Sequence, residues 1–267
     1  MAGSLPGAQL RQWRQARHLS QLQLALSVQL SQRHLSFVES GRAQPSRALI
    51  LRVSEMLEIP LRARNEILLA AGLAPQYFER ALTSPNLSLV HQALSRLLNH
   101  HEPYPAMVLD GGWNILMRNA ATEKIFQECV ATDGLVEMSA DRQLNFMRMM
   151  CSPSALRPHI RSWSQTGRAL LARLRREALA APGSSVDTLL NELLAIDAFP
   201  ELSNVVEEFE EPTIALEIDV KGETLRLLTT TTTFGTPQDV TLQELRIEMS
   251  FPADELSEQI LRRLPQR

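Results

Sequence analysis

Two short helices joined by a tight turn are the sequence feature that most constrains the fold. Ser20 and Ser31 each stand where a helix N-cap is expected, and apolar residues follow both serines at helical spacing. Between the two helices, Gln29 and Leu30 form the turn. The pattern therefore predicts one helix over residues 21–28 and another from residue 32 to the Ser40-Gly41 pair, where Gly41 supplies the C-cap.

Three further helices are predicted around this pair. The first begins at Leu10, and the arginines between its apolar positions predict a basic outer face formed by Arg11, Arg14 and Arg17. The fourth runs from Pro45 through residue 57, and the fifth covers residues 60–71. Five short helices in this order, with a turn between the second and third, are how a helix-turn-helix domain is built.

The charge distribution divides the chain into two parts. Residues 1–80 contain ten arginines and five glutamates, a net charge of +5, which leaves a net charge of −8 on the other 187 residues. A basic part of this size suits a module that approaches phosphates, whereas the acidic remainder would be repelled by DNA.

The helix-turn-helix segment closely resembles the XRE (Cro/repressor-type) family. The residues that carry the resemblance are Leu19-Ser20-Gln21, Leu24-Ala25 and the continuous stretch 30–46. Gln29 departs from the family, which often has glycine in the turn, so we expect a strained turn or a different backbone region there. The resemblance implies a lambda-repressor-like helical domain that binds double-stranded DNA, with the third helix in the major groove.

The same resemblance assigns roles to eight residues. Gln32, Arg33 and Phe37 occupy base-reading positions, which fits the pairing of Gln with adenine, of Arg with guanine, and of an apolar ring with the thymine methyl group. Phosphate contacts are expected from the start of the second helix and from around the third. The complete predicted set is Gln21, Ser31, Gln32, Arg33, His34, Ser36, Phe37 and Arg42. Two alternatives stay open: the five helices form a protein-interaction module, or Phe37 packs on a neighbouring helix.

A second domain is predicted to follow a break in the helical pattern over residues 75–85. We place the boundary after residue 81, giving domains 1–81 and 82–267. Helices are predicted over residues 87–99, after Asn119, within 144–180 as long helices, and over 186–194. Strands are predicted over residues 106–109, 113–117, 213–220, 224–233 and 245–251. The chain is therefore expected to have an α+β fold, with a five-stranded antiparallel sheet flanked by helices, as in PAS-type sensor domains.

The C-terminal segment carries a second resemblance. Residues 230–248, with the sequence TTTTFGTPQDVTLQELRIE, and the following Phe251-Pro252-Ala253-Asp254 resemble the hallmark of MmyB-like regulators. Members of that bacterial family join an XRE domain to a PAS-like ligand-binding domain, and the resemblance implies a fatty-acid-like ligand. Ser162 departs from the family, because asparagine is expected before Trp163.

Nine methionines, several near aromatic residues, support an adaptable apolar pocket. The same side chains could equally form an ordinary core. The predicted pocket set is Val108, Ile115, Met117, Phe126, Phe146, Met150, Trp163 and Phe234.

Other chemistries find little support in the sequence. Cys129 and Cys151 lack C-x-x-C spacing and are interpreted as buried small hydrophobes, and the His100-His101 pair has no partner at metal-ligand spacing. Asp239 is interpreted as a cap of a turn or short helix, although with Glu244 it could be taken for an acid/base pair. No membrane span or leader is expected, so the chain should stay in the cytoplasm.

Three functions remain at this stage. The leading one is a regulator without cofactor or catalytic residues, binding a palindromic operator as a homodimer whose recognition helices lie one DNA turn apart. In the second, the C-terminal domain is a dimerisation or partner-docking platform without a ligand. In the third, it is a DNA-tethered enzyme acting on an acyl substrate, but no G-x-S-x-G elbow or dinucleotide motif is present.

Overall fold

The computed structural model describes residues 5–129, 144–181, 183–195, 199 and 215–264. They divide into two compact units. The first unit contains residues up to Arg80 together with Thr236–Gln243, and the second contains Ala81–Gly235 and the residues from Glu244 onward. The boundary after residue 81 stays a prediction, because compactness alone does not show which part of a chain folds independently.

The first unit contains the five predicted helices. They are α1 (Pro6–Ala16), α2 (Gln21–Ser27), α3 (Gln32–Glu39), α4 (Arg47–Met56) and α5 (Leu61–Ala70). Ser20 and Ser31 are N-caps as predicted, since their hydroxyls accept the backbone N–H of Gln23 and of His34, both at 3.2 Å. Apolar side chains of all five helices form one core, which includes Leu10, Leu24, Leu35, Ile50, Val53 and Leu68.

Helix α1 begins four residues earlier than its apolar pattern predicts. Pro6 provides a favourable first helical residue, and Gly7 lies against the backbone of α3. A Cβ atom at position 7 would lie 1.8 Å from the carbonyl oxygen of Val38, so only glycine fits there. This close approach fixes α1 against the helix that carries the predicted base-reading residues.

The turn between α2 and α3 is strained at Gln29, as its departure from the family suggested. Gln29 has a φ of 51°, which lies in the left-handed region that costs most non-glycine residues about 1 kcal/mol or more. We expect Gln29→Gly to raise the free energy of unfolding by about 0.5 to 1 kcal/mol, measured by urea denaturation. Gln29→Ala retains the strain and should not raise it; equal stabilisation by both substitutions would contradict this explanation.

The second unit is built on the five-stranded antiparallel sheet that the sequence predicts. Its strands are β1 (Ala106–Leu109), β2 (Ile115–Arg118), β3 (Leu216–Val220), β4 (Glu223–Thr232) and β5 (Arg246–Pro252), in the order β2-β1-β5-β4-β3. The predicted third strand began at residue 213, and residues 213 and 214 lie outside the described part of the chain. The first and last strands are adjacent, so residues distant in sequence line one continuous surface.

Helices surround this sheet. They are α6 (Ser88–His100), α7 (Ala120–Cys129), α8 (Phe146–Cys151), α9 (Trp163–Ala180), α10 (Ser185–Ala195) and α12 (Glu255–Arg263). Helix α11 (Val240–Glu244) belongs to the first unit up to Gln243. The prediction of long helices throughout 144–180 is wrong for α8, which has six residues. It ends at Cys151 because the next residue, Ser152, precedes Pro153, and a residue before proline disfavours helical backbone.

Helix α12 was not predicted. Its N-cap is Asp254, whose carboxylate accepts the backbone N–H of Ser257 at 2.8 Å, and its buried residues include Ile260 and Leu261. The main core of the unit lies between the sheet and its helices, with Trp113, Met147 and Leu174 fully buried in it.

Candidate DNA-binding surface and ligand cavity

The N-terminal turn of α3 presents a continuous polar surface. Ser31, Gln32, Arg33 and His34 are all exposed, whereas Leu35 in the next position is fully buried. Val38 is also buried, so the apolar spacing of the third helix matches its core-facing side. An exposed helix N-terminus with an arginine and an amide side chain can contact phosphates through its free N–H groups and base edges through its side chains.

Phe37 lies half-buried further along α3. Its ring has the guanidinium of Arg33 at 5.4 Å and that of Arg42 at 5.9 Å from its centroid. Ser36 beside it is also half-buried, and Arg42 is exposed. Contacts of this kind between cations and a ring are favourable, and they keep two positive charges close to the same surface.

A buried ion pair lies directly behind this surface. Arg14 donates from Nε and Nη2 to the carboxylate of Glu39 at 2.7 and 2.9 Å, and both residues are buried. The hydrogen bond to Glu39 raises the pKa of Arg14 above its ordinary value. The prediction of Arg14 on an outer basic face is wrong, and its position four residues after Leu10, on the same helix face, was the signal that could have placed it inside.

Gln21 joins this ion pair. Its side-chain amide donates to the Glu39 carboxylate at 2.8 Å, which orients the start of α2 relative to α3. The phosphate contact predicted for Gln21 stays a prediction. It would be made by a residue that the Arg14 and Glu39 pair already holds in position.

The second unit contains a small cavity of about 50 Å³. It is lined mainly by apolar side chains from the sheet and from α7 and α8: Pro105, Met107, Thr122, Ile125, Phe126, Phe146, Met150, Leu156, Leu216, Ile218, Leu227, Thr229, Glu248 and Ser250. Three residues of the predicted pocket set, Phe126, Phe146 and Met150, are among them.

The other five residues of the predicted set lie elsewhere. Val108 and Met117 are paired in the sheet, and because side chains alternate along a strand, Val108 faces away from the side where Met107 lines the cavity. Ile115 is buried in the core, and Phe234 is partly exposed just after β4. None of these four lines the cavity.

Trp163, the remaining member, is half-buried at the start of α9. Its ring stacks on Phe199 at 6.0 Å and lies under the guanidinium of Arg157 at 5.3 Å. Ser162, the departure from the family before it, has its hydroxyl 3.4 Å from that of Thr166. Neither Trp163 nor Ser162 lines the cavity.

The polar atoms of the cavity wall lie mostly on β4 and β5. The hydroxyls of Thr229 and Ser250 are 2.9 Å apart, and the buried Glu248 carboxylate pairs with Arg173 at 2.9 Å. Among the described lining residues there is no lysine, arginine or histidine. This wall suits an apolar molecule with at most one small polar group.

Comparison with known families accounts for both units. Residues 10–63 match the helix-turn-helix family, and residues 90–264 match the ligand-binding domain of MmyB-like transcription regulators. The chain belongs to the MmyB-like transcription regulators. No curated protein sequence matches it significantly. The regulator thus joins a helix-turn-helix DNA-binding region to a domain that binds a small molecule, and its family is one of transcription regulators and not of enzymes.

The cysteines and the histidine pair of this regulator make local structural contacts. Burial raises the pKa of the Cys129 thiol to about 11 and that of Cys151 to about 12, so both are thiols near neutral pH. His100 and His101 contact the backbone carbonyl groups of Arg96 and Ser250. Within the described residues, no three His, Cys, Asp or Glu side chains form a group suited to a metal ion.

Asp239 caps α11, as predicted. Its carboxylate accepts the backbone N–H of Thr241 at 3.0 Å and pairs with Arg80 at 2.9 Å. In the described part of the regulator, no helix combines the length and the apolar character needed to cross a membrane.

Proposed function

We propose that this regulator binds a palindromic operator as a homodimer, and that a small apolar ligand with a fatty-acid-like chain changes its affinity for that operator. The observation that carries the ligand proposal is the apolar cavity in the matched ligand-binding domain. Support for operator binding comes from the exposed residues at the N-terminus of α3 and from the net charge of +5 on the first 80 residues.

Arg33 is the residue with the clearest expected effect on sequence recognition. If it pairs with a guanine, Arg33→Ala should cost about 1 to 3 kcal/mol at one base pair of the operator and little at others. The measurement is binding to an operator selected from random DNA and to each of its single-base variants. Arg52→Ala, which removes an exposed arginine from α4, is the matched control. A uniform loss across all variants would make Arg33 a phosphate contact instead.

The size of the cavity constrains how a ligand enters. A volume of about 50 Å³ holds roughly three or four water molecules, which is less than an alkyl chain requires. Met107 and Met150 on the wall have flexible, unbranched side chains that can move aside. We therefore propose that the ligand enlarges this cavity and shifts the surrounding helices or strands as it binds.

The head group of the ligand is tested by comparing dodecanol with dodecanoate. A free carboxylate would lose its hydration against described lining residues that include no cation, and the Arg173 guanidinium is already paired with Glu248, so dodecanol should bind more tightly. Calorimetric titration of the purified regulator measures both affinities. Tighter binding of dodecanoate would contradict this assignment of the wall.

The variant pair Leu227→Phe and Leu228→Phe locates the ligand. Leu227 lines the cavity, whereas its neighbour on β4 faces the opposite side of the sheet and does not line it. Only Leu227→Phe should weaken ligand binding, by about tenfold, because the larger ring fills the space that the alkyl chain of the ligand would occupy. Equal affinities in the two variants would place the ligand elsewhere.

Native mass spectrometry followed by solvent extraction tests whether the regulator carries a ligand when purified. An operator titration with saturating ligand then tests the sensor function. An unchanged operator affinity would contradict the sensor function and favour the partner-docking platform. A ligand changes operator affinity only if it binds the DNA-competent and DNA-incompetent states with different affinities.

A further inference from the structure

One segment of the ligand-binding region is a structural part of the DNA-binding unit. Residues Thr236–Gln243 lie between β4 and β5 in the chain, yet they group with the first unit, and we call them the returning segment. The two strands that it joins both line the cavity, with Leu227 and Thr229 on β4 and Glu248 and Ser250 on β5.

The returning segment is held to the end of the first unit by main-chain and side-chain bonds. Val240 donates its backbone N–H to the carbonyl of Phe78 at 2.8 Å, and the Thr241 hydroxyl donates to the carbonyl of Arg80 at 2.7 Å. Asp239 is 3% exposed and pairs with the guanidinium of Arg80, which also lies 4.0 Å from the centroid of the Phe78 ring. These contacts form a short, well-satisfied interface within the unit.

Gln243 supplies a hydrogen bond at the start of helix α5. Its side-chain carbonyl accepts the backbone N–H of Leu61, the first residue of α5, at 2.7 Å. The N-cap of that helix is Pro60, which has no side chain that can accept a hydrogen bond. The first amide groups of a helix need partners from outside it, so the returning segment supplies a cap that the local sequence lacks.

We propose that the returning segment transmits ligand binding from β4 and β5 to the DNA-binding unit. Three residues join the segment to β4 and two join it to β5, so a ligand that displaces these cavity-lining strands also displaces the segment. That displacement loosens the bonds to Leu61, Phe78 and Arg80 and changes the stability of α5. The inference rests on the proposed function, since it assumes that a cavity ligand alters operator affinity.

The test is a double variant, Thr241→Val with Gln243→Met, which removes both side-chain hydrogen bonds while retaining side-chain volume. The measured quantity is the ratio of operator Kd with saturating dodecanol to operator Kd without it. We expect this ratio to fall within twofold of 1 in the double variant, while the affinity of the cavity for dodecanol stays within threefold of wild type. Gln238→Met, at an exposed position of the same segment, should retain the wild-type ratio.

Thermal unfolding confirms that the double variant is folded, and amide hydrogen exchange at Leu61 provides a second readout. Dodecanol should accelerate this exchange in the wild type but should have little further effect in the double variant. If the double variant keeps the wild-type ratio, the role of the returning segment is overturned, while the proposed sensor function is not. A wild-type ratio of 1 overturns the proposed sensor function and this inference with it.

Discussion

Replacing Glu39 with alanine is expected to lower the free energy of unfolding of the first unit by about 3 to 5 kcal/mol. The substitution leaves the guanidinium of Arg14 buried without its carboxylate partner, because that residue is only 7% exposed. It also removes the acceptor of the Gln21 amide, so the start of α2 loses its link to α3. Operator affinity should fall together with stability.

Urea denaturation of the full-length regulator measures this effect, with Glu55→Ala at an exposed position of α4 as the control. The double substitution Arg14→Met with Glu39→Met should recover most of the lost stability, since replacing a whole buried ion pair with apolar residues is often close to neutral. If Glu39→Ala costs less than about 1 kcal/mol, the pair does not carry the energetic role that its burial indicates.

Replacing Trp113 with alanine is expected to lower the free energy of unfolding of the second unit by about 3 to 5 kcal/mol. The indole is fully buried, and its Nε1 donates to Glu177 at 2.9 Å. The guanidinium groups of Arg173 and Arg246 lie 4.3 and 4.8 Å from its ring centroid. The substitution therefore leaves a large cavity and removes the ring that contacts two cations, both of which also pair with Glu177.

Differential scanning calorimetry follows unfolding without depending on tryptophan fluorescence. Trp113→Phe keeps most of the ring and should cost about 1 to 3 kcal/mol, through loss of the indole hydrogen bond and of some volume. Trp163→Ala, at a half-buried tryptophan, should cost less than Trp113→Ala. Equal losses at the two positions would mean that burial does not set the energetic contribution of Trp113.

The helices of the first unit could be predicted from the sequence because their signals are local. The Ser20 and Ser31 caps, the Gly41 C-cap position and the apolar periodicity all lie within a few residues of the structure that they specify. The five strands were predictable for the same reason, since β-branched residues and alternation mark each strand separately. Helix α12 carried similar signals, with an Asp254 cap and a buried apolar face, and could have been predicted.

Features that depend on distant residues could not be predicted in this way. Helix periodicity could have placed Arg14 inside, but Glu39 lies 25 positions away and nothing local identifies it as the partner. The cavity depends on which face of the sheet the helices cover, so the sequence could not separate Met107 on the wall from Val108 on the other face. Phe126, Phe146 and Met150 were chosen from apolar character and neighbourhood and do line the cavity, but their contact with a ligand stays a prediction.

The discontinuous first unit limits how regulators of this type can be recombined. A gene fragment that ends at residue 81 encodes α1 to α5 but omits the Gln243 side chain that caps α5 and the Asp239 carboxylate that pairs with Arg80. A chimera that joins this DNA-binding region to another sensor domain would contain that domain's own sequence in place of the returning segment. Exchange of operator specificity between such proteins should therefore succeed most readily when substitutions are confined to the exposed surface of α3, leaving the rest of the original chain intact.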